Sequence, residues 1–374
     1  MTTRNRVPET ILIVNAGSSS LKLRLLGADD EVFERVNLPA IADPSDIDQL
    51  AGVLRKFPAV QAAGHRVVHG GAEFRESVLV TGEVLERLRA LSDLAPLHNP
   101  AALAGLDVMR AAAPGIPNVA CFDTAFHTSL PPAAATYAVP RQWTEEWGIR
   151  RYGFHGLNHA YTSRRVAELL SRPAEELRIV SCHLGAGASL AAVAGGRSVD
   201  TTMGFTPMEG LVMATRSGSV DPGALIYLQR HRGLTVGEVE RVLDEESGIR
   251  GLSGRSADMR VVEQAAGEGD PRAKLALDVY VHRLRAGIAA MAASMGGLDV
   301  LAFTGGVGEG SAYVRAAAVA GLAFLGLRLD PDRNAGDIGT DIELSPEDAR
   351  VQVLLVHARE DLQIAREVRA VLAG

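Results

Sequence analysis

Two arginines lie in segments of the sequence that supply them with no partner anion. Arg66 sits in Gly64-His65-Arg66-Val67-Val68-His69-Gly70-Gly71, and Arg216 in Met213-Ala214-Thr215-Arg216-Ser217-Gly218. A guanidinium among glycines and apolar residues needs an anionic partner, because its desolvation is otherwise uncompensated. Two carboxylates also stand out: Asp123, ending the apolar run 119–122, and Glu360, just after the run 351–356 and before a final helix. Carboxylates at strand ends commonly hold Mg²⁺ through its waters, although either one fits a helix cap equally well.

Three glycine-rich clusters offer anion sites. Asn15-Ala16-Gly17-Ser18-Ser19-Ser20-Leu21-Lys22 places small polar residues at the tip of a hairpin, where backbone N–H groups and hydroxyls suit phosphate oxygens. It is no Walker A loop: it lacks Gly-Lys-Ser/Thr and joins two strands instead of opening a helix. An ordinary hairpin turn would read the same. His183-Leu184-Gly185-Ala186-Gly187-Ala188-Ser189 repeats the design, with His183 just before the tip. Thr304-Gly305-Gly306-Val307-Gly308-Glu309-Gly310 follows a strand, but Gly306-Val307-Gly308 is followed three residues later by Ser311, which excludes a dinucleotide fingerprint.

The elements that must carry these residues alternate between strand and helix, as in an α/β protein. Residues 11–14 and the period-two run 21–25 predict a hairpin around the first tip. Residues 178–182, and a second apolar run through Val193, predict another around the second, half a chain away. Two such hairpins point to a duplicated domain. Residues 300–303 predict a strand before the third cluster, and Leu277, Val281, Leu284, Ile288, Met291 and Met295 mark one face of a long helix. An amphipathic helix is expected over residues 361–372, and a domain boundary near Ser129-Leu130-Pro131-Pro132.

Composition narrows the function. The 374 residues allow two domains, and 47% hydrophobic residues supply their cores. A net charge of −7 leaves no basic footprint for nucleic acid, so positive charge for an anionic substrate must be local. No apolar stretch approaches a membrane span, and the first ten residues lack a signal core, so a cytoplasmic location is expected. Cys121 and Cys182 have no metal-type spacing and are expected as buried thiols.

Residues 13–22, 64–71, 96–100, 122–127, 150–156, 183–189, 208–218, 256–260 and 303–309 together closely resemble, in order, the motifs of the acetate kinase family. That family belongs with the sugar kinases, actin and heat-shock chaperones. The resemblance implies a duplicated ribonuclease-H-like α/β fold with an interdomain active-site cleft. The domains would be residues 1–128 plus 361–374, closed by the C-terminal helix, and residues 129–360, binding nucleotide. It implies phosphate contacts at Asn15, Ser18, Ser20 and Lys22, and at His183, Gly185 and Gly187. The adenosine site would be Asp258, Met259, Arg260, Gly305, Gly306 and Val307. Arg66, Asp123, His155 and Arg216 match catalytic positions; Val68, Leu97, Phe154 and Pro207 match the pocket for the acetate methyl. Asn15 and Glu360 match contacts to Mg²⁺ (or Mn²⁺), ATP or ADP is the nucleotide, and a homodimer is implied.

Departures from the family pattern are Ala186 for an asparagine, Ser219 for an acidic residue, Leu157-Asn158 for Thr-Ser, and Ala358-Arg359 before Glu360. The expected activity is reversible phosphoryl transfer from ATP to acetate. Acetate is already ionised at neutral pH, so charge neutralisation and in-line alignment matter more than a general base. Val68 favours acetate over propionate. The alternatives are a propionate kinase, or an ATP-binding regulatory or chaperone-like protein without kinase activity, which would not need paired arginines and a small apolar pocket.

Overall fold

The computed structural model describes residues 8–16, 20–39, 45–57, 59–95, 99–336 and 339–374. Ser18 and Leu97 lie outside the described residues. The chain forms two compact units, one of residues 1–128, 154–161 and 359–374, the other of residues 129–153 and 162–358.

The first unit is built on a sheet of β1 (Ile11–Ala16), β2 (Ser20–Leu26), β3 (Val32–Pro39), β4 (Ala62–Val67), β5 (Val78–Leu79) and β6 (Asn118–Phe122). Their order is β3-β2-β1-β4-β6-β5, with β1, β4 and β6 parallel and the others antiparallel. The predicted hairpin is present, and its register pairs Ala16 with Leu21. Period-two alternation on β2 buries Leu21, Leu23 and Leu25 while Lys22 faces solvent. β6, between β4 and the short edge strand β5, is buried throughout, as a strand covered on both faces must be.

The helix Glu360–Ala373 packs Ile364, Ala365 and Val368 against Ile11, Ile13 and Cys121. Gly64 on β4 permits that approach, since a Cβ there would stand 2.5 Å from Ile364 Cγ2. This is the amphipathic helix expected from residue 361; Glu360 is its first residue rather than part of a preceding loop.

The second unit contains β7 (Arg178–Leu184), β8 (Ala188–Ala194), β9 (Arg197–Thr201), β10 (Val300–Thr304), β11 (Ile342–Glu343) and β12 (Gln352–Leu355). The order β11-β12-β10-β7-β8-β9 is that of the first unit, strand for strand, read from the other edge. The duplication expected from two hairpins is therefore complete at the level of topology. The long helix Pro271–Ser294, N-capped by Asp270, buries Leu277, Val281, Leu284, Ile288 and Met291 as the stripe predicts. Met295 is its C-cap residue. Among the described residues no helix is long and apolar enough to cross a membrane.

Candidate active site

Arg66 stands at the end of β4 and Asp123 follows β6, next to it in the sheet; Asp123 N donates to Val67 O at 3.0 Å. The Arg66 guanidinium donates through Nε to both Asp123 oxygens at 3.1 Å, and through Nη2 to Oδ2 at 2.6 Å. Glu360 Oε2 lies 3.8 Å from Arg66 Nε. Burial opposes the Arg66 charge, yet the Asp123 and Glu360 carboxylates raise its pKa above the ordinary value. Burial likewise pushes the Asp123 carboxyl up, with Arg66 opposing. One arginine thus sits between two carboxylates at the carboxyl ends of parallel strands, where open α/β sheets bind ligands.

The residues around His155 are tied to the same place. Gly156 N donates to Asp123 O at 2.8 Å, and a Cβ on Gly156 would stand 2.2 Å from that oxygen. His155 itself takes φ +55°, a strained value for a non-glycine residue and one that such sites often hold. His127 Nε2 lies 3.0 Å from Phe154 O, and burial pushes that imidazole down to about 4, so it is neutral near pH 7 and donates there. Phe154 is buried and sets its ring edge-on to His69, centroids 5.3 Å apart. Asn99 grips His69 from both sides, accepting from its N–H at 3.1 Å and donating to its carbonyl at 3.0 Å. Val68, next in sequence to His69, is half-buried.

Asn15 and Lys22 are directly paired across β1 and β2, and Ser20 opens β2 at the tip. One step back, Arg24 Nη1 bonds Asp361 Oδ2 at 3.0 Å, while Arg359 Nε donates to Asp361 Oδ1 at 3.0 Å. The departure at Arg359 therefore serves an ion-pair triad beside Glu360. Among the described residues no group of three His, Cys, Asp or Glu could cage a metal. Mg²⁺ does not require such a cage, because it usually keeps several waters and binds one or two carboxylates plus substrate phosphates. A partly exposed Glu360 near the carboxylate of Asp123 fits that kind of ion.

In the second unit the other two glycine clusters come together. β7 pairs with β8 from Arg178–Ala194 to Leu184–Ala188, and Gly185 N closes the tip on Gly187 O at 2.9 Å. His183 is also paired with Thr304 of β10, so the turn 185–187 lies beside the short helix Gly305–Gly310. Gly185, Ala186, Asp258, Met259, Arg260, Gly306 and Val307 line one cavity of about 440 Å³. Asp258 caps the helix Met259–Gly267 and pairs with the exposed Arg260, whose hydrogen bonds hold its carboxyl below the usual range.

Arg216 lies in the same unit, with Nε donating to Asp244 Oδ1 at 2.6 Å and Nη1 3.5 Å from Pro207 O. The loop before Pro207 is tied down by Arg151, which donates to Thr202 O and Met203 O at 3.0 Å. Ser219 Oγ accepts from Gly210 N at 3.1 Å, so its hydroxyl closes the loop.

Sequence reasoning missed four residues. Asp244 lies in an acidic run with no pattern around it. Arg315 is 2% exposed and donates to Gly308 O, Glu309 O and Asn334, clamping the end of the helix Gly305–Gly310. Glu309 Oε1 accepts from Gly305 N at 3.0 Å and Ala358 N at 2.9 Å. Tyr280, 3% exposed, lines the cavity, and its hydroxyl has no partner among the described residues. Only Glu309 left a trace, as the last letter of a glycine motif.

The acetokinase family matches residues 45–366. The acetate kinase of Synechococcus sp. (strain JA-2-3B'a(2-13)) is 48% identical over 403 residues, covering 97% of this chain and 99% of the relative. The crystal structure of Porphyromonas gingivalis acetate kinase matches with a TM-score of 0.91 at 36% identity, over 97% of this chain and 100% of that one. A propionate kinase from Francisella tularensis subsp. tularensis SCHU S4 matches with a TM-score of 0.89 at 35% identity, over 96% and 98%. With a family match over most of its length and relatives aligned end to end, the chain belongs to the acetokinase family.

Proposed function

We propose that the protein is an acetate kinase, moving the γ-phosphoryl group of ATP reversibly onto acetate to give acetyl phosphate and ADP. The observation that carries this reading is that the two arginines set among glycines and apolar residues are each held on a carboxylate, Arg66 on Asp123 in the first unit and Arg216 on Asp244 in the second. A carboxylate oxygen attacks the γ-phosphorus, the bond to the β-γ bridging oxygen breaks, and ADP leaves with its electron pair. No proton has to be removed from acetate, so Asp123 acts as the positioning partner of Arg66 instead of a base. The two guanidiniums place positive charge on the equatorial oxygens of the moving group, and electrostatic stabilisation of that kind usually contributes most to such catalysis.

Asn15, Ser18, Ser20 and Lys22 contact phosphate from the first hairpin, and His183, Gly185 and Gly187 from the second. Asp258, Met259, Arg260, Gly305, Gly306 and Val307 hold the adenosine. Val68, Leu97, Phe154 and Pro207 enclose the methyl group, and His155 contacts the transferred phosphoryl. Mg²⁺ or Mn²⁺, bound by Glu360 and Asn15, would neutralise charge on the triphosphate.

A homodimer is supported by the helix Pro222–Arg232, which buries none of its residues while Ile226 and Tyr227 are about half exposed. Two buried free thiols, Cys121 and Cys182, agree with a cytoplasmic location.

The test is acyl hydroxamate formation from acetate, propionate and butyrate with ATP, Mg²⁺ and hydroxylamine. Acetate leads by several-fold, chelation abolishes the signal, and Arg66→Ala lowers kcat by roughly 10²–10³. No hydroxamate from any acid would overturn the kinase reading. Propionate in the lead would move the substrate to that of the Francisella relative, since one methylene is worth only about 1–3 kcal/mol.

A further inference from the structure

The loop bearing Arg216 is stitched to a second segment by five hydrogen bonds. Ser217 N donates to Leu243 O at 2.9 Å, and Thr215 Oγ1 to Asp244 O at 2.8 Å. Arg216 Nε donates to Asp244 Oδ1 at 2.6 Å. Ile249 N donates to Met213 O at 2.9 Å, and Arg250 N to Ala214 O at 3.0 Å. On its other side the loop reaches the phosphate turn, through Ala214 N and Ala186 O at 3.0 Å.

Asp244 itself sits on a wide π-helical turn, Val242–Glu246, inserted after the helix Val236–Arg241. Such turns are uncommon and concentrate at functional sites, because the extra residue re-aims a side chain. Neither that turn nor the helix before it fully buries a residue, and Val242 and Leu243 are only half-buried, so the distortion does not serve a packed core. What the turn accomplishes is local: it presents both the carbonyl and the carboxylate of Asp244 to Thr215 and Arg216.

The contact through Nε matters for orientation. A guanidinium is planar, and an anion on Nε fixes the plane while Nη1 and Nη2 project away from the stem. Here Nη1 extends to within 3.5 Å of Pro207 O, toward a residue assigned to the methyl pocket. An arginine with long, flexible torsions would otherwise lose rotamer freedom at each turnover.

We propose that Asp244 is a positioning residue for phosphoryl transfer, holding the Arg216 guanidinium in the orientation the reaction uses. The inference rests on the reading that Arg216 meets the moving phosphoryl group. Asp244 touches no reacting atom; it acts through Arg216 alone. Its effect therefore falls on kcat and is absent when Arg216 is absent.

The test compares D244A, D244N, R216A and the double variant D244A/R216A, as full-length protein, in the hydroxamate assay with kcat and KM measured separately. D244A lowers kcat by about 10–100-fold and leaves KM for ATP within about twofold. D244N keeps an Oδ1 acceptor but loses the charge, and lowers kcat by about two- to fivefold. The double variant is no slower than R216A, the non-additivity of residues acting as one unit. Unchanged kcat in D244N, whose shape matches aspartate and which needs no repacking, overturns the proposal even if D244A does not fold. So does a double variant whose losses multiply. R216A with near-normal turnover overturns the assignment of Arg216 and this inference together. R216A inactive beside fully active D244A and D244N overturns this inference alone.

Discussion

Gly156 lies directly on the Asp123 carbonyl, its amide donating at 2.8 Å in a space where a methyl group would stand 2.2 Å from the oxygen. The contact joins the strand end that carries Asp123 to the turn that carries His155, two segments remote in sequence. Neither could shift without the other.

Gly156→Ala therefore destabilises the protein by about 1–3 kcal/mol, the range of overpacking, and lowers kcat as His155 and Asp123 move apart. Gly82→Ala is the control, since nothing lies within 4 Å of a Cβ there. Urea denaturation and turnover of both variants check this; equal stability of G156A and wild type would refute the close approach.

Stability falls as pH falls from 6.5 to 4. Burial pushes His65 and His127 down to about 4 from an ordinary 6.5, so only the unfolded chain takes up these protons in that window. Each shift is worth roughly 3 kcal/mol, fully present above pH 6.5 and lost by pH 4. Asp123 works the other way: its carboxyl is raised, so the folded state gains protons first and stability rises as pH falls toward 3.8. The two histidines outweigh it. His127→Gln, which still offers Phe154 O a donor, makes the decline shallower; an identical slope in chemical denaturation at pH 7, 6 and 5 would rule out the histidine contribution.

Tyr280→Phe leaves the ligand-free protein as stable as wild type, or more stable by about 1 kcal/mol. Its hydroxyl is buried with no partner among the described residues, and removing an unsatisfied group removes its desolvation cost. A melting temperature lowered by several degrees would mean that the hydroxyl makes a bond in solution.

If the proposed homodimer forms through the helix Pro222–Arg232, Ile226→Asp converts it to a monomer in light scattering behind size exclusion, since the substitution puts a charge on that unburied helix. A wild-type protein that is already monomeric would remove the proposal of a dimer through this face.

What was legible in the sequence had a local cause. The hairpins were visible because alternating burial writes itself as alternating residue type, as on Leu21-Lys22-Leu23. Arg66 was visible because glycines and valines cannot solvate a cation. Asp244 and Arg315 were not. Asp244 is followed directly by Glu245 and Glu246, two further acids among which it does not stand out, and only a wide helical turn singles it out. Arg315 lies in Ala312–Ala320, where an arginine among alanines reads as a solvent-facing position, yet it is buried against carbonyls that no sequence pattern announces. A helix end asks for a donor, and the chain supplies that donor from five residues further on.

That clamp changes how the glycine-rich segment 305–310 should behave. Four glycines in six residues make a poor helix, each costing about 1 kcal/mol relative to alanine. A segment of that composition would ordinarily be ordered only by its ligand, which would then bind more weakly. With Arg315 holding the carbonyls of Gly308 and Glu309, and Glu309 holding the amide of Gly305, the ordering is completed during folding. If nucleotide binds here, as proposed above, it meets a surface whose shape is already set, and little of its binding free energy is diverted into stiffening the wall.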